Sequence, residues 1–261
     1  MKKTYMKRLS LLSIIPLFVL LGMTGCATSP RKQEEASIHL KIGLAHIESR
    51  QYNAALKELL EAEKLTSRDP ELHYFLGLAY YGKGLREKAL GEFNRAVDLK
   101  PDYSEAHIFL GEIYLSSGLW DKAIESFNKA LSNILYDTPA VALFNMGWAY
   151  YKKGDYQEAI AKYQEAIAKE PNTVLLPLIE KNMGIVSFAQ GDMDIAVRHF
   201  NKSLELAPSL AESQYWLGEC YVRLKKGEEA KAAFRAVIKM VPESEYGIKA
   251  KKSLEAITPG Y

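Results

Sequence analysis

Three histidines stand in register, His39, His73 and His107, each 34 residues from the next. Imidazoles so repeated are the first residues in this chain to examine as metal ligands. The spacing argues against that chemistry. Equivalent positions in stacked helices lie roughly 10 Å apart, whereas zinc draws each nitrogen to about 2 Å. One ion cannot bridge them, so packing is the expected role. No nucleophile paired with a base, glycine-rich phosphate loop or carboxylate pair at catalytic spacing occurs in the sequence. Acids and bases fall mostly in helical pairs such as Glu158 and Lys162, the pattern of solvated helix faces. Neither an enzyme nor a small-molecule substrate is expected. The remaining reactive groups are the two cysteines, Cys26 and Cys220.

Cys26 follows a targeting segment. Lys2, Lys3, Lys7 and Arg8 precede the mostly apolar residues 11–23. That run is shorter than the roughly 20 residues that span a bilayer as a helix, and it contains Pro16. Thr24 and Gly25 then lead into the cysteine, an arrangement that resembles the bacterial lipobox, with Met23 where leucine is usual. The resemblance implies that residues 1–25 are a signal peptide and that Cys26 is diacylated, cleaved on its N-side and acylated on the new amine. A covalent lipid on Cys26 is then the only non-protein group expected, since several acyl chains give stable anchoring. The competing reading is an ordinary cleaved signal peptide with a stray cysteine. Ala27, in place of the aspartate that retains lipoproteins in the inner membrane, points to the periplasmic face of the outer membrane. Residues 26–36 read as a tether, of which residues 27–35 reach at most roughly 30 Å. With the four basic groups of the leader removed, the net charge is −2, which excludes a nucleic-acid partner. Cys220 is expected to be a small buried apolar residue.

From residue 37 onward the chain repeats. Gly43, Gly77, Gly111, Gly147, Gly184 and Gly218 are spaced by 34 to 37 residues. An alanine follows each glycine by twelve residues, from Ala55 to Ala230, and a large apolar residue follows by sixteen: Leu59, Phe93, Phe127, Tyr163, Phe200 and Phe234. Small residues permit close helix approach, and the alanine, ring and next small residue at i, i+4 and i+7 share one helical stripe. Pro101, Pro171, Pro208 and Pro242 end repeats because proline cannot continue a helix. In the second repeat this predicts helices over residues 71–83 and 85–100. Two junctions are longer, by two residues after repeat three and three after repeat four, with Pro139 and Pro177 at first-turn positions.

Six registered copies of this 34-residue pattern resemble the tetratricopeptide repeat (TPR). The resemblance implies an all-α TPR solenoid: a right-handed superhelix of six helix-turn-helix repeats at about 37–69, 70–103, 104–139, 140–173, 177–210 and 211–243. A polar cap at 244–257 completes a domain over 37–257. Such a stack lines its concave groove with first helices, which places Tyr74, Tyr81, Phe144, Trp148, Tyr151, Phe188 and Tyr215 there as candidate anchors for a protein partner. The alternative is that some of them fill gaps between repeats. The lysine and asparagine pattern of TPR domains that clamp a C-terminal carboxylate is not matched, because Phe144 and Trp148 stand in its place.

The lipobox, short tether and six repeats together resemble the PilF/PilW family of type IV pilus pilotins. The matching stretch is residues 130–147, with Leu135, Tyr136, Asn145 and Gly147. That resemblance implies the secretin as partner. Adaptors of envelope maintenance, of the NlpI or BamD type, and polysaccharide-export lipoproteins remain alternatives. The Cys26→Ala protein is expected to miss the outer membrane and to incorporate no radiolabelled palmitate. Unchanged fractionation, with no label on the natural protein, overturns the lipobox reading.

Overall fold

The structure, a computed structural model, describes residues 29–257. Cys26 and the leader, residues 1–25, lie outside the described residues. Thirteen helices follow one another: α1 Pro30–Glu48, α2 Tyr52–Leu65, α3 Pro70–Gly82, α4 Arg86–Leu99, α5 Ser104–Ser116, α6 Trp120–Ser132, α7 Pro139–Lys153, α8 Tyr156–Lys169, α9 Leu176–Gln190, α10 Met193–Leu206, α11 Ala211–Arg223, α12 Gly227–Met240 and α13 Glu245–Ile257. The described residues contain no strand. They form a solenoid of six helix pairs closed by α13.

One boundary differs from the sequence reading. The stretch assigned to the tether, residues 26–36, is helical from Pro30 onward. Ser29 is extended, its hydroxyl accepts a long bond from the Lys32 N–H, and Pro30 occupies the first turn. Lysine, glutamine, glutamate and alanine then follow, all good helix formers. Polar composition fits a tether and a solvated helix equally well, and the cap decides between them.

Each pair is joined by a short turn that contains one left-handed residue. Glycine supplies it at Gly84, Gly118, Gly154 and Gly191, while Arg50 and Lys225 take φ of 57° and 58° in repeats one and six. Within each pair the repeat glycine faces the large side chain sixteen residues on. A Cβ placed at Gly43, Gly147, Gly184 or Gly218 meets Leu59, Tyr163, Phe200 or Phe234 at 2.6–2.7 Å. The four aromatic rings sixteen residues after Gly77, Gly111, Gly184 and Gly218, together with Tyr163, are wholly buried. Ala55, Ala89, Ala123, Ala159, Ala196 and Ala230 are likewise inaccessible.

The curvature follows from which helices approach. First helices of neighbouring pairs come within 8 Å of one another, as α1 does with α3, α5 with α7, α7 with α9 and α9 with α11, whereas second helices diverge. The odd-numbered helices therefore line the inner face.

The histidines are satisfied by neighbouring groups within the helix stack. His39 Nδ1 lies 2.7 Å from Glu58, His73 Nδ1 lies 2.7 Å from Glu92, and His107 Nε2 bonds the Pro101 carbonyl at 2.8 Å. Repeat five reverses the pair: Glu180 on α9 takes the histidine's place and His199 on α10 the glutamate's, at 2.8 Å. Burial works against the Glu180 carboxylate, yet His199 and Lys202 hold it below the ordinary value. Cys220 is fully buried, and burial pushes its thiol up to about 12, so it is inert.

Two predictions follow from this packing. Gly184→Ala is expected to cost about 1–3 kcal/mol through the clash with Phe200. Gly91→Ala, in an exposed turn of α4 with nothing within 4 Å, is expected to stabilise by about 1 kcal/mol. Urea melts of both variants check this. The second prediction concerns pH. The Glu92 hydrogen bond raises the pKa of His73 against the effect of burial, while burial lowers that of His107 despite the Pro101 carbonyl. His73 therefore contributes stability that is present below pH 6.5 and lost as pH rises through its raised pKa. His107 has the opposite sign, its contribution falling as pH drops below 6.5 toward its lowered pKa. Imidazole proton shifts should titrate His73 above and His107 below that value.

Candidate partner-binding groove

The inner face carries the aromatic residues of the odd helices, and the structure divides them into two sets. Tyr74 and Tyr81 belong to the junction between repeats two and three. Tyr74 is enclosed by the rings of Phe75, Phe93, Tyr103 and Phe109 at 5.0–6.0 Å, and burial raises its pKa. Tyr81 meets Phe109 edge-on at 5.5 Å. Burial pushes up the pKa of the nearby Glu112 carboxyl, and the Tyr81 hydroxyl partly offsets this. Both tyrosines are half-buried and serve largely as inter-repeat packing.

Repeat four differs. Phe144 rests on Tyr163 with ring centres 6.1 Å apart and packs against the central core. Trp148 stacks on Tyr151 at 5.0 Å and 30°, half-exposed, and the Lys152 ammonium sits 4.7 Å above the indole. Tyr151 also joins the core of repeats five and six. The result is a flat aromatic surface with a cation at its rim, backed by a packed core that holds its rotamers. This combination of amphipathic rings on a rigid support suits an apolar side chain of a partner.

Further along, Phe188 lies edge-on to Trp216 at 5.2 Å beneath the Arg223 guanidinium at 5.4 Å. Tyr215 contacts Trp216, Phe234 and Tyr246. A polar ladder crosses the same face: Lys181 Nζ donates to Glu212 at 2.7 Å, and the Tyr246 hydroxyl donates to its other oxygen at 2.6 Å. Glu212 thereby ties α9, α11 and α13 together. The groove is thus aromatic in its middle and increasingly polar toward the cap.

Sequence spacing missed Tyr103, Phe109 and Trp216. Phe109 and Trp216 sit beside a groove position in register, and their rings reach back to the preceding odd helix. Ile108 and Ile185, on the same odd helices, are buried and unavailable. Asn182 is buried too, its amide donating to the Tyr163 hydroxyl at 3.2 Å. Among the described residues no cluster of three metal-ligating side chains occurs, and no helix is long and apolar enough to cross a membrane.

Comparison with known proteins agrees with this architecture. Tetratricopeptide repeat models match residues 43–84, 70–103, 102–169 and 187–252. Over 94 residues the chain is 31% identical to the photosystem I assembly protein Ycf3 of Acaryochloris marina, covering 36% of this chain and 55% of that protein. The chain thus spans about half the length of that relative, and far less of the others. Among solved structures it is similar to PilF of Pseudomonas aeruginosa, with TM-score 0.72 and 12% identity, over 85% of this chain and 99% of that one. It is also similar to PilW, described as a widely conserved type IV pilus biogenesis factor, with TM-score 0.75 and 20% identity, over 83% and 98% of the two chains. At such identities these likenesses establish the fold. With repeat models matching along most of its length and six helix pairs built on the glycine-to-ring contact, the chain belongs to the tetratricopeptide-repeat family.

Proposed function

We propose that this chain is a lipid-anchored scaffold on the periplasmic face of the bacterial outer membrane, and that its concave groove holds a protein partner in type IV pilus biogenesis, the secretin. The observation that carries the binding role is the half-exposed Trp148, Tyr151 and Lys152 cluster on the inner face of repeat four. Such an apolar surface suits an amphipathic helix or an extended segment that buries alternate side chains. The pilus assignment is supported by the likeness to PilF and PilW, which covers nearly the whole of both chains. The lipobox-like run ending at Cys26 supports the anchor.

Truncating a central aromatic anchor costs about 2 kcal/mol or more, roughly a thirtyfold loss of affinity. Trp148→Ala combined with Tyr151→Ala should therefore reduce secretin multimers in the outer membrane while leaving the lipoprotein folded and anchored. Normal secretin with a cell-wall or outer-membrane assembly defect instead assigns the groove to an envelope-maintenance partner. A folded double variant that retains every partner in a crosslinking pull-down removes the groove from the binding role.

A further inference from the structure

The most exposed large apolar side chains in the described structure lie outside the groove. Ile134 is 95% exposed, Leu135 79% and Val174 91%. They occupy the two lengthened junctions, between α6 and α7 and between α8 and α9. Both junctions are built alike. The Asn133 side chain accepts the Leu135 N–H, and the Tyr136 N–H closes the turn on the Asn133 carbonyl at 3.1 Å. Thr173 does the same for Leu175 and Leu176, at 3.3 and 3.1 Å. Asn133 is itself tied to Asp102 and Ser104, while Tyr136 packs on the core, so Ile134 and Leu135 are held outward by a fixed frame. Turns ordinarily place glycine, asparagine or aspartate at such positions, and aliphatic residues there gain nothing from the fold.

Their location identifies what they face. In an array of antiparallel helices every odd helix starts, and every even helix ends, at one edge. Bonds along this edge show it, from Ser104 to the Ala130 carbonyl and from Ser203 to the Pro177 carbonyl and Ser213. The edge begins at Ser29, three residues after Cys26, a gap of at most about 11 Å. Ile134, Leu135 and Val174 lie on that same edge, with the half-exposed Leu206 and Met240 beyond them. The equivalent loops nearer the anchor carry Arg68, Asp69 and Asp102. At the opposite edge, Leu85 and Leu119 are only 40% and 45% exposed. The first loop also carries the exposed Asp137, two residues past Leu135, while Glu170, just before the second loop, is turned inward onto the Ala140 N–H at 2.9 Å.

We propose that the edge bearing the inter-repeat loops lies against the lipid bilayer, with Ile134, Leu135 and Val174 inserted at the headgroup boundary as a second point of attachment. This rests on lipidation of Cys26, which holds the first point of the same edge at the membrane. A single anchored end leaves a solenoid free to swing. Apolar side chains a few repeats away fix its tilt, since interfacial binding grows with the apolar area buried. The groove of the odd helices then opens sideways, parallel to the membrane plane.

The test uses the lipidated full-length protein in vesicles of phosphatidylethanolamine and phosphatidylglycerol. Ile134→Cys, Val174→Cys and, at the far edge, Gln157→Cys each carry an environment-sensitive fluorophore. The buried Cys220 does not compete for the label. Flotation and the mass of the N-terminal peptide report the anchor separately. The expected result is a blue-shifted emission at residues 134 and 174, quenched by spin-labelled lipid, with neither change at 157. Labels at 134 and 174 that behave like 157 on floating protein overturn the proposal while sparing the anchor. Labels that stay aqueous on vesicles but become shielded in native envelopes assign the loops to a protein and overturn it as well. Protein that does not float and carries no lipid mass on Cys26 removes the anchor and the docking together.

Discussion

The contact between a helical glycine and a ring sixteen residues later governs this structure. With no Cβ, the first helix of each pair lies directly on the face of Phe93, Phe127, Tyr163, Phe200 or Phe234, and on Leu59 in the first repeat. Close approach there sets the spacing of the pair. The buried alanine four residues before the ring allows the second helix to meet the first along a full stripe. Once the pairs have a fixed thickness, stacking them leaves only curvature to be decided, and the mutual approach of the odd helices decides it.

The inner face inherits two tasks from this geometry. Its rings must join successive repeats, as Tyr74 does among Phe93, Tyr103 and Phe109. Its remaining surface is what a partner can touch. Repeat four meets both demands, because Tyr151 enters the core of the following repeats while its other face stacks on Trp148. Toward the cap the Lys181, Glu212 and Tyr246 bonds are added to the ring contacts between odd helices, which makes that end of the groove more polar.

Much of this was legible in the sequence, for specific reasons. Glycine, alanine and ring recur at fixed offsets because each offset is a contact, so the repeats and their helices can be read directly. The groove is harder to read. A position on the inner face of an odd helix is also close to the next odd helix, and sequence spacing cannot separate an anchor such as Trp148 from a packing residue such as Tyr74. The start of α1 was obscured because Pro30 and the charged residues after it suit a tether as well as a capped helix. The histidines were recognised as packing residues, but their Glu58 and Glu92 partners, nineteen positions on, become evident only from the antiparallel pair. The exchange of Glu180 and His199 shows that the fold specifies the pair of positions and leaves open which helix carries the acid.

The bonds that join one repeat to the next are short in sequence, spanning 31 residues from Lys181 to Glu212 and 34 from Glu212 to Tyr246. No repeat needs a distant stretch of chain to complete its core. Loop-closure entropy stays small at every step, and proteins dominated by such local contacts fold quickly. The solenoid can therefore assemble in order along the chain, each repeat using the one already formed as its template. A chain delivered one end first, in the extended state, meets at every stage a surface ready to receive the next pair of helices.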